Sequence, residues 1–312
     1  MNIKLKKIST VNMSREDWLE HRKNSIGGSD ASAILGLNNF STPYTVWADK
    51  MGMSEDKPDN EAMRLGRDME EYVAKRFTEA TEKKVRRCNN IIINPDLPFM
   101  HANVDRLIVG EDAGLECKTT SAFNLKRFKG GEYPASYYGQ CMHYMAVTGC
   151  ARWYLAVLVL GQGFYHFCIE RDEEEIQALI ELEKTFWGMV ERKEVPPVDG
   201  LHPTGEAIKA NYPNSNGEEI ALFGRDDEMK RYLLLQNSIK EVQKKMDEIK
   251  QCIQLDLGEC EKGVGDLYVA LWKNQVRNTF DHKRFALEHP EIDISPYYKQ
   301  SNSRVFSIKE VK

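Results

Sequence analysis

Between residues 59 and 192 the apolar spacing changes period in a set order: helix, three strands, helix, two strands, helix. That order narrows the possible folds more than any other feature of the chain. Met63, Gly66, Val73, Ala74 and Phe77 recur at helical spacing and predict a helix over about Asp59 to Thr81. Strand-like runs follow at Val85–Ile93, Met100–Val109 and Leu115–Thr119, the last two separated by the turn Gly110-Glu111-Asp112-Ala113-Gly114. Pro134 opens a helix that Gly149 ends. Strands at Ala151–Leu160 and Gly163–Glu170 then precede an amphipathic helix over about Asp172 to Arg192. Upstream, Ser14-Arg15-Glu16-Asp17 starts a first helix, Ser29-Asp30 caps a short second one after the Gly27-Gly28 turn, and Pro43–Met51 forms a third behind Thr42. The expected fold class is mixed α/β (α+β), with a central mixed sheet flanked by helices.

From Val195 to about Phe223 the composition shifts to Pro, Gly and Asn, with Pro196, Pro197, Pro203 and Pro213, and a linker or irregular excursion is expected there. The chain therefore divides into a core over 1–194, a linker over 195–224 and a C-terminal region over 225–312. In that region Tyr232, Leu235, Ile239, Val242, Met246, Ile249 and Ile253 follow a heptad pattern. The pattern fits both a helix packed on its own domain and a seam with another chain. A strand over Leu267–Lys273, a short helix after Asp281 and a strand over Arg304–Ile308 complete the expectation.

The seven cysteines form no CxxC pair and no dense framework, which points to reduced thiols in a cytoplasmic protein. No apolar run approaches the ~18–20 residues that span a bilayer, and no secretory signal follows the N-terminal lysines. His101 and His143 are read as structural. The net charge of -5 excludes a protein that coats nucleic acid by broad electrostatics. Any action on DNA has to work through local basic patches and through cations that offset clustered acids.

The chemistry concentrates at Glu116-Cys117-Lys118. On a strand, Glu116 and Lys118 project side by side while Cys117 points away, and Asp105 lies on the strand before the hairpin. Two carboxylates sharing one small site repel unless a cation sits between them. Oxygen ligands of this kind suit Mg²⁺, or Mn²⁺, ions that polarise a phosphodiester and acidify an attacking water. Lys118 is placed to orient that water. The same triplet recurs at Glu55, Glu82, Glu191, Glu228, Glu248, Asp281 and Glu310, but only Glu116 lies on an apolar strand with an aspartate on the strand before it. Glu70 falls within the apolar stripe of its helix, where a carboxylate is costly without compensation. It is either paired with an arginine or aimed at the metal site as a third acid. Gln140, with Tyr144 on the same helix face, is a candidate for holding a water or a phosphate, or an ordinary polar helix residue.

The order Glu70, Asp105, Glu116-Cys117-Lys118, Gln140 resembles the core of the PD-(D/E)xK nucleases, which have a restriction-endonuclease-like fold. More narrowly, the chain is similar to the YqaJ-type viral recombinases and to phage lambda exonuclease. The similarity is carried by Trp18 with Arg22, by 26–31 (IGGSDA), 66–70 (GRDME), 102–105 (ANVD), 115–118 (LECK) and 138–140 (YGQ), and covers about residues 14 to 192.

The resemblance implies that Glu70, Asp105, Glu116 and the Cys117 carbonyl bind the metal and that Lys118 and Gln140 position the water. It implies that Arg22 and Ser29 hold the 5′-phosphate of a DNA end, a role that an arginine fork suits. The alternative is that Arg22 pairs with an acid. It also implies 5′-to-3′ digestion of double-stranded DNA ends leaving 3′ overhangs, a toroidal trimer, a single-strand annealing protein as partner, and a phage or prophage origin in a bacterial cytoplasm. The C-terminal run with Trp272, Arg277, Phe280, Asp281, Phe285 and Pro290 looks like tails on such phage proteins. The alternatives are a structure-specific endonuclease or nickase on the same core, and a non-catalytic DNA-binding protein.

Overall fold

The computed structural model describes residues 4–54, 60–300 and 302–310. The chain forms two compact units, Met1–Tyr212 and Pro213–Lys312. The first unit begins with a strand that the sequence pattern does not announce, β1 (Lys6–Ser9), followed by α1 (Arg15–Lys23), α2 (Gly28–Ile34) and α3 (Pro43–Lys50). Ser14 caps α1 and Thr42 caps α3, each side chain accepting a backbone N–H of the first turn. The long α4 (Glu61–Thr81) starts at the Asn60 cap. Asp59, where it was expected to begin, and the triplet at Glu55 lie outside the described residues.

The two runs read as single strands each divide. The first becomes β2 (Val85–Arg87) and β3 (Asn90–Ile93), the second β4 (His101–Asn103) and β5 (Arg106–Ile108). A three-stranded antiparallel sheet holds β1-β3-β4. A five-stranded sheet holds β2 and β5 beside β6 (Ala113–Thr120), β7 (Arg152–Val159) and β8 (Gly163–Glu170), in the order β2-β5-β6-β7-β8. Alternating apolar residues cannot reveal such a division, because each half keeps its period of two. Asp105 sits where the second run crosses from one sheet to the other. Among the described strands only β6 and β7 pair in parallel, and the chain passes between them through α5 (Leu125–Lys129) and α6 (Ala135–Thr148). Gly149 (φ 76°) ends α6 in the left-handed conformation that favours glycine.

Two layers cover the five-stranded sheet. On one face Val73, Ala74 and Phe77 of α4 pack with Leu115, Tyr154, Ala156 and Leu158. On the other, Met142, Met145 and Ala146 of α6 pack with Leu155, Val157 and Val159, joined by Ile176 and Leu179 of α7 (Glu173–Glu191). The stripe of α4 is buried only in its second half. Met63 is exposed and Glu70 sits at the border. Gly114 lets β6 pass beneath the buried Trp153 ring, since a Cβ there would lie 2.3 Å from Trp153 Cη2.

The segment from Val195 is not irregular throughout. It carries α8 (His202–Asn211), which ties back to α3 through Thr42–Thr204 (2.7 Å) and Asn211–Tyr44 (3.2 Å). The buried hydroxyl pair and the apolar contact of Ala207 outweigh its proline-rich start. In the second unit, α9 (Asp226–Leu257) leaves Leu235, Ile239, Val242, Met246, Ile249 and Ile253 exposed. The strand expected at Leu267–Lys273 narrows to β10 (Val269–Leu271), paired antiparallel with β9 (Lys262–Val264). Asp281 caps α10 (His282–Glu288). Arg304–Ile308 forms no strand, because no neighbouring segment supplies a ladder. Among the described residues no helix is long and apolar enough to cross a membrane.

Candidate active site

Strand β6 delivers Glu116 and Lys118 to the face covered by α6, and α6 answers with Gln140. The Gln140 amide donates to Glu116 Oε1 (2.8 Å) and to the Tyr144 hydroxyl (2.8 Å), and its carbonyl oxygen accepts from Lys118 Nζ (2.9 Å). Lys118 Nζ also lies 2.5 Å from Glu116 Oε1 and 5.4 Å from the centre of the Tyr137 ring. Burial works against charge on Lys118, but the Glu116 carboxylate outweighs it and raises the pKa, so the ammonium persists. Glu116 is 3% exposed and spends both contacts on one oxygen. Its Oε2 is buried without a partner among the described residues. The other [D/E]xK triplets among the described residues begin at exposed positions.

Asp105 reaches the same strand from the side. The β5–β6 ladder stops at Arg106–Leu115, and beyond it the Cys117 N–H donates to Asp105 Oδ2 (2.8 Å). The N–H and C=O of one residue leave a strand on the same edge, so the Cys117 carbonyl faces the Asp105 side. Burial, followed by the charges of Glu116 and Glu70, pushes the Asp105 carboxyl well above the usual carboxylate range.

Glu70 acts on Asp105 by charge rather than through a hydrogen bond. Its carboxylate pairs with the buried Arg106 guanidinium, which also donates to Glu71 (3.0 Å) and to the Asp105 carbonyl (2.7 Å). The arginine-pair alternative thus describes its present contact, while its charge still acts on Asp105. Glu70, Asp105 and Arg106 line a cleft of about 380 Å³ with Trp18, Arg67 and Arg87; Glu116 and Lys118 do not line it.

Arg22 and Ser29 are brought together. Arg22 Nη2 donates to Ser29 Oγ (3.3 Å), lies 3.5 Å from Asp30 Oδ1, and its guanidinium stands 4.9 Å over the Trp18 ring. Beneath them Lys50, with a fully buried side chain, pairs with Asp30 Oδ2 (2.7 Å) and donates to the Arg22 carbonyl (2.5 Å). Burial opposes charge on Asp30, yet Lys50 and Arg22 together hold its pKa down at about 2. Arg22 thus shares Asp30 with Lys50, the acid pairing of the alternative reading, and its side chain stays 30% exposed.

The residues that sequence reasoning missed are Arg106, Lys50 and a buried network. Ser25 bonds His101 Nδ1 (2.8 Å), the His101 carbonyl accepts from His143 Nε2 (2.9 Å), and His143 Nδ1 donates to Glu183 (2.8 Å). Burial opposes charge on both partners: it raises the Glu183 carboxyl, while at His143 the Glu183 charge and hydrogen bond outweigh it and raise the imidazole. This pair pins α6, and Gln140 with it, to α7 and β4. Arg106 left one signal, a charged residue at an inward position of an apolar strand. Glu183 left a similar one on the apolar stripe of its helix.

Among the described residues no three His, Cys, Asp or Glu side chains are gathered closely enough to hold an ion as they stand. The donor set nevertheless fits a hard cation. Among the described residues a buried carboxylate oxygen lacks any partner, the half-buried Asp105 is held from ionising by desolvation and then by its acidic neighbours, and a backbone carbonyl shares their edge.

Residues 17–151 match the model of the YqaJ-like viral recombinase domain. The chain is also 40% identical over 305 residues to the uncharacterized protein YqaJ of Bacillus subtilis (strain 168), covering 96% of this chain and 95% of that one. The chain belongs to the YqaJ family. Among solved structures, an alkaline exonuclease from Laribacter hongkongensis is similar at 18% identity with a TM-score of 0.48, covering 57% of this chain and 94% of that chain. The same enzyme in complex with dAMP gives a TM-score of 0.49 at the same identity and coverage. The family match spans α1 through the end of α6, and so takes in every candidate residue from Arg22 to Gln140.

Proposed function

We propose that this YqaJ-family chain is a Mg²⁺-dependent DNA exonuclease that digests double-stranded ends 5′ to 3′ and leaves 3′ overhangs for recombination by strand annealing. The observation that carries the reading is the buried Glu116 Oε2, without a partner among the described residues, near an Asp105 whose ionisation is opposed first by burial and then by the charges of Glu116 and Glu70. Asp105, Glu116 and the Cys117 carbonyl would hold the ion, with Glu70, paired to Arg106 through Oε1, as a third acid beside them. A Mg²⁺ or Mn²⁺ bound there supplies Lewis acidity to a phosphodiester and lowers the pKa of a water.

The chain's own residues do the rest. Lys118, kept charged by Glu116, holds a nucleophilic water or a phosphate oxygen by its ammonium. Gln140 orients Lys118 and Glu116 relative to one another by donating to one and accepting from the other. Arg22 and Ser29 hold a terminal 5′-phosphate, with Asp30 and Lys50 setting the direction of the arginine. Support for a phosphate there is the part-exposed guanidinium beside an acid that it shares with Lys50. Support for a recombination role is the family's designation. A trimer and an annealing partner belong to the same proposal.

The test is digestion of linear and covalently closed circular duplex, with and without Mg²⁺, using separately labelled 5′ and 3′ ends. The proposal expects loss of the linear form alone, 5′ label released first, and Lys118→Ala inactive yet folded. Cleavage of the closed circle would replace it with an endonuclease on the same core.

A further inference from the structure

Strand β6 does not end in an ordinary polar loop. After Thr120 the chain makes a single turn of 3-10 helix, Ala122–Asn124, that runs directly into α5. Phe123 on that turn is 98% exposed. Over residues 121–131 the sequence holds Lys126, Arg127 and Lys129 and no acid, in a chain whose net charge is -5. All three cations are exposed, and among the described residues none pairs with a carboxylate.

The turn is nonetheless well anchored. Asn124 Nδ2 donates to Thr120 Oγ1 (2.7 Å), and Phe128 is buried against Tyr165 and Phe167 with ring centres 5.9 and 6.4 Å away. A fully exposed aromatic ring on a fixed turn, followed within six residues by three exposed cations with no carboxylate partner among the described residues, is poorly explained by stability. It contributes no burial and draws its charges together at a cost.

We propose that this turn is a binding site for single-stranded nucleic acid, in which Phe123 stacks on a base and Lys126, Arg127 and Lys129 hold the neighbouring phosphates. An aromatic face with adjacent cations matches an unpaired strand, whose bases expose their faces between phosphates. An intact duplex hides those faces. The site begins five residues beyond Lys118 on the same stretch of chain, so a strand that meets Lys118 has the turn next to it in the sequence. The inference rests on the proposed nuclease reading only for which strand arrives there; the binding itself does not need catalysis.

The test is fluorescence anisotropy with a labelled oligothymidylate, in EDTA so that no hydrolysis occurs, across a range of salt. Phe123→Ala is expected to weaken binding roughly 5- to 150-fold, the range of one lost base–aromatic stack, and Phe123→Trp to retain it. The triple variant Lys126→Ala, Arg127→Ala, Lys129→Ala is expected to flatten the log–log salt dependence by about 2, at about 0.7 for each lost phosphate contact. Blunt duplex should bind all variants alike.

Two results overturn the proposal. One is oligothymidylate binding within twofold of the parent for Phe123→Ala. The other is a change of oligomeric state on sedimentation that accounts for the loss, which would make the ring a contact between copies. Failure of the nuclease reading is seen separately, as absence of Mg²⁺-dependent digestion by the parent chain, whatever the turn binds.

Discussion

Gly28 is where α2, which carries Ser29 and Asp30, meets α6, which carries Gln140. A Cβ at Gly28 would lie 2.6 Å from Tyr144 Cε1, 2.8 Å from Tyr144 Cζ and 3.0 Å from Gln140 Cγ. Ordinary carbon contacts begin near 3.5 Å, so the neighbours must give by about 1 Å. Neither has room: Tyr144 is 4% exposed and tilted against Trp153 at 5.1 Å between centres, and Gln140 is 8% exposed. Gly28→Ala is therefore an overpacking change costing about 1–3 kcal/mol. At about 2–4 °C per kcal/mol for a unit of this size, the melting temperature falls by about 2–12 °C. The larger effect is local. Gln140 holds Glu116 and Lys118 at 2.8 and 2.9 Å, and a displacement of about 1 Å breaks both bonds, a misplacement able to cost about 100-fold in rate. Differential scanning fluorimetry and single-turnover digestion of a 5′-labelled linear duplex read the two quantities. In the double variant Gly28→Ala, Tyr144→Leu the smaller side chain relieves the clash, so the second change should cost less than it does in the parent background. Stability within 0.5 kcal/mol of the parent (about the scatter of unperturbed surface changes), or strict additivity in the double variant, would refute the argument.

Three further outcomes follow from the same contacts. Arg106→Gln removes the counter-charge of Glu70 and Glu71 and should cost about 3 kcal/mol in urea unfolding, the low end for a broken buried pair because both acids are partly exposed; Arg106→Lys should restore only part, since an ammonium cannot fork to two carboxylates. Burial lowers the His101 pKa to about 3, so below pH 6.5 the unfolded chain binds a proton that the folded one refuses; stability falls with pH through that window, by about 2 kcal/mol at pH 5, and His101→Phe should flatten that part of the curve. Glu183→Leu strands the His143 charge and should cost about 3–5 kcal/mol, with hydrogen exchange rising along α6, whereas Glu183→Asp should recover part of it.

Much of the first unit was legible because its elements announce themselves locally. Ser14, Thr42 and Asp172 each accept a first-turn N–H, and Gly149 takes the positive φ that stops α6. Alternation along β6 placed Glu116 and Lys118 on one face, where Gln140 meets both. The errors lie where a local signal is ambiguous. Val85–Ile93 and Met100–Val109 keep one alternation while serving two sheets, and the prolines after Val195 suggested an irregular stretch although Pro203 stands within the first turn of α8. The heptad of α9 is present as read, but its stripe is not buried within the second unit.

Periodicity and caps act between residues a few positions apart, so the sequence alone determined the helices other than α5 and α8, the mixed α/β class and the pairing of Glu116 with Lys118 along one strand. Which long-range partner meets each charge was decided by packing. Glu70 met Arg106, Lys50 came to lie beneath Asp30 and Arg22, and His143 met Glu183 across two helices. A charge in a low-dielectric interior takes whichever counter-charge the fold brings within reach. That choice depends on distances between segments far apart in the chain, which no local pattern encodes.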